Sequence, residues 1–141
     1  MMTERLAGEF RDGAHWLPLR VYYEDTDAGG IVYHSNYLKY CERGRTDCLR
    51  LLGIHHSRLD GLAFVVRRMT CDFLMPARLD DLLEVETRMI EVGGARVVLA
   101  QRVLKGREAL FAADVTVALV DGAGRPRRLP KEMANLLKLP L

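Results

Sequence analysis

Glu24-Asp25-Thr26-Asp27-Ala28-Gly29-Gly30, followed closely by Tyr33-His34-Ser35-Asn36, gathers three carboxylates, two glycines and one imidazole into a single short stretch. Carboxylates this close repel one another and favour neither strand nor helix. The glycines permit a tight, exposed backbone, and a helical pattern begins just beyond them. A helix N-terminus offers free N–H groups and the positive end of the helix dipole, so it can hold an anion or an oxygen that becomes anionic during reaction. A carboxylate and an imidazole beside such an end suit acyl transfer or hydrolysis. The same residues also make a good turn, with Asx-type bonds accounting for the aspartates. A calcium loop fits poorly, since counting from Asp25 the twelfth position is Asn36 instead of a bidentate Glu. There is no zinc signature, Walker loop or GxGxxG, and no metal or cofactor is expected.

The elements that must hold this segment follow from periodicity. His15 to Glu24 reads as a strand with Leu17, Leu19, Val21 and Tyr23 on one face, ended by the turn residues Asp25 to Gly30. Asn36 to Leu52 reads as one long helix. Tyr37, Tyr40, Cys41, Gly44, Cys48, Leu51 and Leu52 form its apolar stripe, Ser35 or Asn36 can cap it, and Gly53 can close it. Its length of roughly 25 Å is enough to cross a sheet. Gly44 inside it costs about 1 kcal/mol relative to Ala, a cost that close approach of another backbone would offset. Four strand-like segments follow: Ala63 to Met75, Leu82 to Val92, Ala95 to Leu104 and Glu108 to Val120. Gly93-Gly94 signals a two-residue hairpin, and Pro130 to Lys138 can add a short helix. The pattern is that of an α+β domain in which a five-stranded antiparallel sheet curls around a single helix.

A chain of 141 residues is about one domain on the usual length prior. It reads as a single unit over 1–141, with a core over about 15–121 and a basic tail over 122–141. Lys and Arg number 21 against 19 Asp and Glu, giving 21 − 19 = +2, which argues against a dedicated nucleic-acid binder. No uncharged stretch approaches the ~18 apolar residues that span a bilayer, and charges interrupt the first fifteen residues where a signal peptide would need an apolar core. Three cysteines without CxxC spacing fit a reducing, cytoplasmic setting and the role of small core residues. Cys41 and Cys48 lie roughly 10 Å apart along the helix and cannot bridge within the chain. His55-His56 reads as a solvated pair, and His15 carries no signal.

The segment Val21 to Thr46, VYYEDTDAGGIVYHSNYLKYCERGRT, resembles the signature of the 4-hydroxybenzoyl-CoA thioesterase family, and within it the YbgC-type acyl-CoA thioesterases associated with the Tol–Pal system. The likeness continues through Phe64 to Asp81, FVVRRMTCDFLMPARLDD, and Pro126 to Pro130, PRRLP, so it covers roughly residues 15 to 135. It implies a hotdog fold, a curled antiparallel sheet wrapped around one long helix. The activity it implies is hydrolysis of an acyl-CoA or acyl-carrier-protein thioester to the free acid and thiol.

Carried over position by position, the family's catalytic carboxylate falls on Asp27, and His34 matches a histidine of the YbgC-type members. The oxyanion-stabilising N–H comes from the backbone around His34. Tyr23, Asp25, Tyr33 and Ser35 lie in the motif and are expected to line or support the substrate pocket. Asp27 would either attack the thioester carbonyl or activate a water that does. Glu42 is a rival carboxylate, because some hotdog enzymes use one on the helix, although Arg43 and Arg45 beside it suggest solvent or an ion pair. Arg67 interrupts the apolar face of its strand and can pair with an aspartate or reach the nucleotide of coenzyme A. Arg125, Arg127, Arg128 and Lys131 can meet phosphates or an acidic acyl carrier protein, or form a solvated loop. The resemblance further implies a homodimer or homotetramer with pockets between subunits, either free in the cytoplasm or peripheral at the inner membrane. Two other readings stand beside hydrolysis: a hydroxyacyl dehydratase on the same fold, and a non-catalytic acyl-CoA or acyl-carrier binding module.

Overall fold

The computed structural model describes residues 5–56 and 59–140. In chain order the strands are β1 (Glu9–Arg11), β2 (Ala14–Arg20), β3 (Ala63–Phe73), β4 (Leu82–Gly93), β5 (Arg96–Lys105) and β6 (Glu108–Val120). Helix α1 (His34–Leu51) separates β2 from β3, and α2 (Lys131–Lys138) follows β6. The strands form one antiparallel sheet in the order β1-β2-β4-β5-β6-β3. The sheet curls around α1, which is the hotdog architecture with six strands instead of five. The additional strand, β1, is three residues long and exposed throughout, so it leaves no alternation to read.

β6 has the clean alternation of its sequence: Phe111, Ala113, Val115, Val117 and Leu119 are all buried against the helix side. On α1 the stripe Tyr37, Tyr40, Cys41, Gly44 and Cys48 is buried. Tyr37 stacks on Phe111 with ring centroids 5.1 Å apart and planes 12° from parallel, a contact worth roughly 0.5–1.5 kcal/mol beyond its buried area. Gly44 sits where a Cβ would come within 2.8 Å of Val85 Cγ1 and 3.1 Å of Thr87 Oγ1. The close approach is therefore to side chains of the sheet and not to another backbone. Beside it, the buried Gln101 amide donates to the Cys41 carbonyl and to Thr87 Oγ1, both at 2.9 Å, and accepts from Arg45 Nη1 at 2.9 Å. This polar clip fixes the helix on the sheet, with the amide donating two bonds and accepting one.

Several expectations are corrected. β2 stops at Arg20, and the chain turns into a short 3-10 turn over Tyr23–Asp25. Tyr23 is consequently 84% exposed instead of sharing the face of Leu17 and Val21. The β4–β5 hairpin turns at Gly94-Ala95, one residue later than the sequence suggests, with Gly93 still paired to Arg96. In β3, a bulge at Arg67 falls between the pairs Val66↔Val117 and Arg68↔Thr116. The extra residue reverses the phase, so Phe64 and Val66 share the inner face with Met69, Cys71 and Phe73, and Val65 points away. Within the basic tail, Leu129 and Leu137 join the core. Pro126 bridges to Val120, and the Arg127 amide donates to the Leu119 carbonyl at 2.8 Å. His15 is fully buried, its Nε2 lying 2.6 Å from the Ala7 carbonyl oxygen. Cys41 and Cys48 are buried and Cys71 half-buried. Burial pushes the Cys41 and Cys48 thiols up to about 12, so both are inert at neutral pH. Among the described residues no helix is long and apolar enough to cross a membrane.

Candidate active site

The acidic segment folds into a compact scaffold ahead of α1. The Asp25 amide donates to the Tyr22 carbonyl at 2.9 Å, closing the 3-10 turn. The Asp25 side chain then turns inward and is buried. Its Oδ2 accepts the Tyr22 N–H at 2.8 Å and its Oδ1 accepts the Asn36 side-chain amide at 2.9 Å. The Asp25 carbonyl accepts the Tyr33 N–H at 2.9 Å. One residue thus ties the end of the β2 segment to the residue before the helix and to the first turn of the helix. The Tyr40 hydroxyl is buried as well, and burial, then the nearby Asp25 carboxylate, raise its pKa well above that of an ordinary phenol.

Between Asp25 and α1 the chain makes a small hairpin. Thr26 bridges to Val32, the Asp27 amide donates to the Ile31 carbonyl at 2.9 Å, and Gly30 N–H donates to the Asp27 carbonyl at 3.1 Å. Asp27 Oδ1 accepts the Gly29 N–H at 2.8 Å, the Asx geometry that the turn reading anticipates. Gly30 has φ +79°, in the left-handed region open to glycine. The Asp27 carboxylate remains exposed, with one oxygen held by the turn and the other directed to no partner among the described residues. Turn chemistry and reactive chemistry therefore coexist in this segment: the turn orients the carboxylate without burying it.

α1 begins at His34, two residues earlier than its apolar stripe implies, with Tyr33 as the N-cap residue. Neither Ser35 nor Asn36 is the cap, and no side chain caps this end. Asn36 instead spends its amide on Asp25. The first N–H groups of the helix, around His34 and Ser35, lie ahead of the first intrahelical acceptor. The positive end of the helix dipole lies here, directly after the hairpin segment that carries Asp27 in the chain. The His34 ring packs on Tyr33 at 4.4 Å between centroids and meets Phe73 edge-on at 6.4 Å.

These rings open onto a groove of about 320 Å³ lined by Ile31, Val32, His34, Tyr37, Phe73 and Met75 among others. Phe73, Leu74 and Met75 are each about half exposed there. Tyr37 forms the floor, and its hydroxyl accepts the Ala77 N–H at 3.0 Å. The structure thus gathers Tyr33, His34 and Ser35 at the helix start, with Asp25 behind them as a support and Asp27 on the adjoining hairpin. Asp27 stands outside the lining of the groove, and Tyr23 faces solvent.

The basic candidates lie elsewhere. Arg67 is the exposed residue of the β3 bulge and forms no ion pair among the described residues. Arg127 reaches Asp121 at 3.4 Å and Arg128 is exposed. Both sit near Leu119, whereas the His34 groove lies at the Phe111 end of the same strand, roughly 25 Å away. Glu42 is exposed on α1 and makes no ion pair among the described residues. Asn36, Tyr37 and Phe73 join the site beyond the sequence reading. The signal that Asn36 carries, a polar residue at a helix start, reads as a cap, and the two aromatics carry only core spacing.

Known proteins share this fold and sequence. The thioesterase superfamily model matches residues 29–112. The acyl-CoA thioesterase YbgC of Haemophilus influenzae is 47% identical over 126 residues, covering 86% of this chain and 93% of that protein. The acyl-CoA thioester hydrolase YbgC of Escherichia coli is 46% identical over 128 residues, with the same coverage. A probable thioesterase from Bartonella henselae superposes with a TM-score of 0.80 at 43% identity, covering 83% of this chain and 99% of its own. The fold, the motif around the helix start and these likenesses together establish that the chain belongs to the thioesterase superfamily.

Proposed function

We propose that the protein hydrolyses acyl-CoA thioesters to the free acid and coenzyme A, using Asp27 as its carboxylate and the start of α1 as its oxyanion site. The observation that carries this reading is the exposed Asp27 carboxylate, held by a self-contained hairpin directly before an uncapped helix N-terminus. With the thioester carbonyl at the helix start, the amides around His34 receive the charge that develops on oxygen. Asp27 either attacks the carbonyl carbon, giving a mixed anhydride that water then cleaves, or takes a proton from the attacking water. In both routes the carbon–sulfur bond breaks and the thiolate departs, and His34 supplies its proton in this reading. The high identity to the H. influenzae and E. coli thioesterases supports coenzyme A as the carrier of the acyl group.

We further propose that two copies pair through β3. β3 is an edge strand, and Val66 and Phe73 on its inner face are 47% and 53% exposed. An isologous pairing of two β3 edges is antiparallel and sets the His34 groove of one protomer beside the Leu119 end of its partner. Arg127 and Arg128, remote from Asp27 in their own chain, then approach the site of the other. The test is thiol release across a panel of acyl-CoA esters, with size-exclusion chromatography coupled to light scattering. Hydrolysis by a dimer or larger assembly, with Arg127→Ala/Arg128→Ala raising KM and leaving kcat unchanged, is the expected result. A monomer with full activity, or a double variant with unchanged KM, overturns the composite arrangement. Release from no ester overturns the activity itself.

A further inference from the structure

The segment that leads from β3 into β4 runs beside the hairpin that carries Asp27. Within it Ala77 is fully buried, while its neighbours Pro76 and Arg78 are exposed. Ala77 belongs to no strand or helix. A buried peptide group outside regular structure needs a specific partner for each of its polar atoms. The Ala77 carbonyl accepts the Val32 N–H at 2.8 Å, and the Ala77 N–H donates to the Tyr37 hydroxyl at 3.0 Å.

This peptide group connects α1 to the hairpin. Val32 bridges to Thr26 across the hairpin, and the carbonyl of Ile31 accepts the Asp27 N–H at 2.9 Å. The contacts thus run from Tyr37 through Ala77 and Val32 to the backbone at Thr26 and Asp27. The hairpin has two feet, Asp25 and Val32. α1 grips the first through the Asn36 amide and the second through the Tyr37 hydroxyl. Tyr37 is a fixed anchor: it is buried, its ring stacks on Phe111, and it meets Tyr40 and Phe73 edge-on at 6.2 and 5.9 Å. Packing alone would be satisfied by phenylalanine. The hydroxyl is what the Ala77 N–H requires.

We propose that the Tyr37 hydroxyl is a positioning group for Asp27, acting through Ala77 and Val32 on the hairpin backbone with no bond to the carboxylate itself. The inference rests on Asp27 as the reacting carboxylate. That carboxylate is exposed and held only by the Gly29 N–H, so the hairpin backbone sets its direction. Misplacing a reacting group by about 1 Å costs up to about 10²-fold in rate.

The experiment compares Tyr37→Phe, which removes the hydroxyl and keeps the ring, with the wild type. In a variant of native circular dichroism, kcat for acyl-CoA hydrolysis should fall by about 10- to 10²-fold with KM unchanged. In the Asp27→Asn background, where no carboxylate remains to be aimed, adding Tyr37→Phe should leave the residual rate unchanged. Amide hydrogen exchange followed by NMR reads the link without turnover. In the wild type the Ala77 and Val32 amides should exchange at least about 10²-fold more slowly than unprotected amides. In Tyr37→Phe the Ala77, Val32 and Asp27 amides should exchange about tenfold faster, with the amides of β6 unchanged. Unprotected Ala77 or Val32 in the wild type overturns the link, as does unchanged exchange in the variant. An unchanged kcat, or an equal loss of rate in the wild-type and Asp27→Asn backgrounds, overturns the positioning role. If the wild type releases thiol from no ester, the hydrolase reading falls and exchange alone decides the link.

Discussion

Asn36 donates its side-chain amide to Asp25 Oδ1 at 2.9 Å, joining the first turn of α1 to a carboxylate buried beside the hairpin that carries Asp27. The bond makes the helix start and the hairpin one rigid unit. Asn36→Leu leaves that oxygen buried without its donor and should lower stability by about 1–3 kcal/mol in urea unfolding. Asn36→Asp sets two carboxylates against each other. That variant should be less stable than Asn36→Leu at pH 7 and should recover part of the difference at about pH 4, because acid relieves repulsion between carboxylates. Equal stability of the two variants at both pH values would show that the contact is not electrostatic.

Asp27→Asn replaces an exposed side chain and keeps a carbonyl oxygen able to accept the Gly29 N–H. The fold should therefore persist, with an unchanged far-ultraviolet spectrum, while turnover of an acyl-CoA ester falls by about 10²–10⁴. Rapid-quench single turnover separates the two roles of the wild-type carboxylate when read with ¹⁸O-water. An acyl group trapped on Asp27, or label entering Asp27, marks nucleophilic attack, and release of labelled acid with no trapped acyl-enzyme marks water activation.

Gly44→Ala sets helix propensity against packing. The substitution gains about 1 kcal/mol in helix propensity, but the new Cβ falls 2.8 Å from Cγ1 of the fully buried Val85. Overpacking of a close-packed core costs about 1–3 kcal/mol, so the net effect should be a loss, read as a lower urea midpoint. A stabilised variant would mean that helix and sheet can separate at little cost.

His15 gives stability a pH dependence of known sign. Burial lowers its pKa in the folded protein below the ordinary histidine value of about 6.5. The unfolded chain then binds the proton first as pH falls, so the contribution is complete above about pH 6.5 and declines below it, toward the lower folded pKa. The unfolding free energy of the wild type should drop between pH 7 and pH 5 more steeply than that of His15→Leu. Parallel slopes would exclude His15 as the source.

The architecture was legible wherever one face of an element met one environment. β6 shows strict alternation because its inner face meets only core, and α1 shows its stripe because one side rests on the sheet. Gly44 signalled a close approach, although only the structure identifies Val85 and Thr87 as the neighbours. Legibility failed where a distant part of the chain decides the outcome. The bulge at Arg67 depends on register with β6, so Val65 and Met69 look co-facial in sequence and are not. Leu137 reads as part of a solvated tail until the return of residues 126–129 along β6 brings α2 back to the core. At the site, the motif located Asp25, Asp27 and His34, but not which aspartate is buried. That division rests on Asn36, whose type suggests a cap and whose position makes it a partner.

The two borders of the sheet are unequal, and this limits how the molecule can grow. β1 is a border of only three residues, with Arg11 bonded to both Glu9 and Glu84. A short, charged border offers little template to an incoming strand. β3 is an eleven-residue border on the other side. Two copies joined through β3, as proposed above, would use the long border of each and leave a sheet bounded by β1 at both ends among the described residues. Strand addition would then terminate itself after one step, so an open sheet need not lead to a fibre.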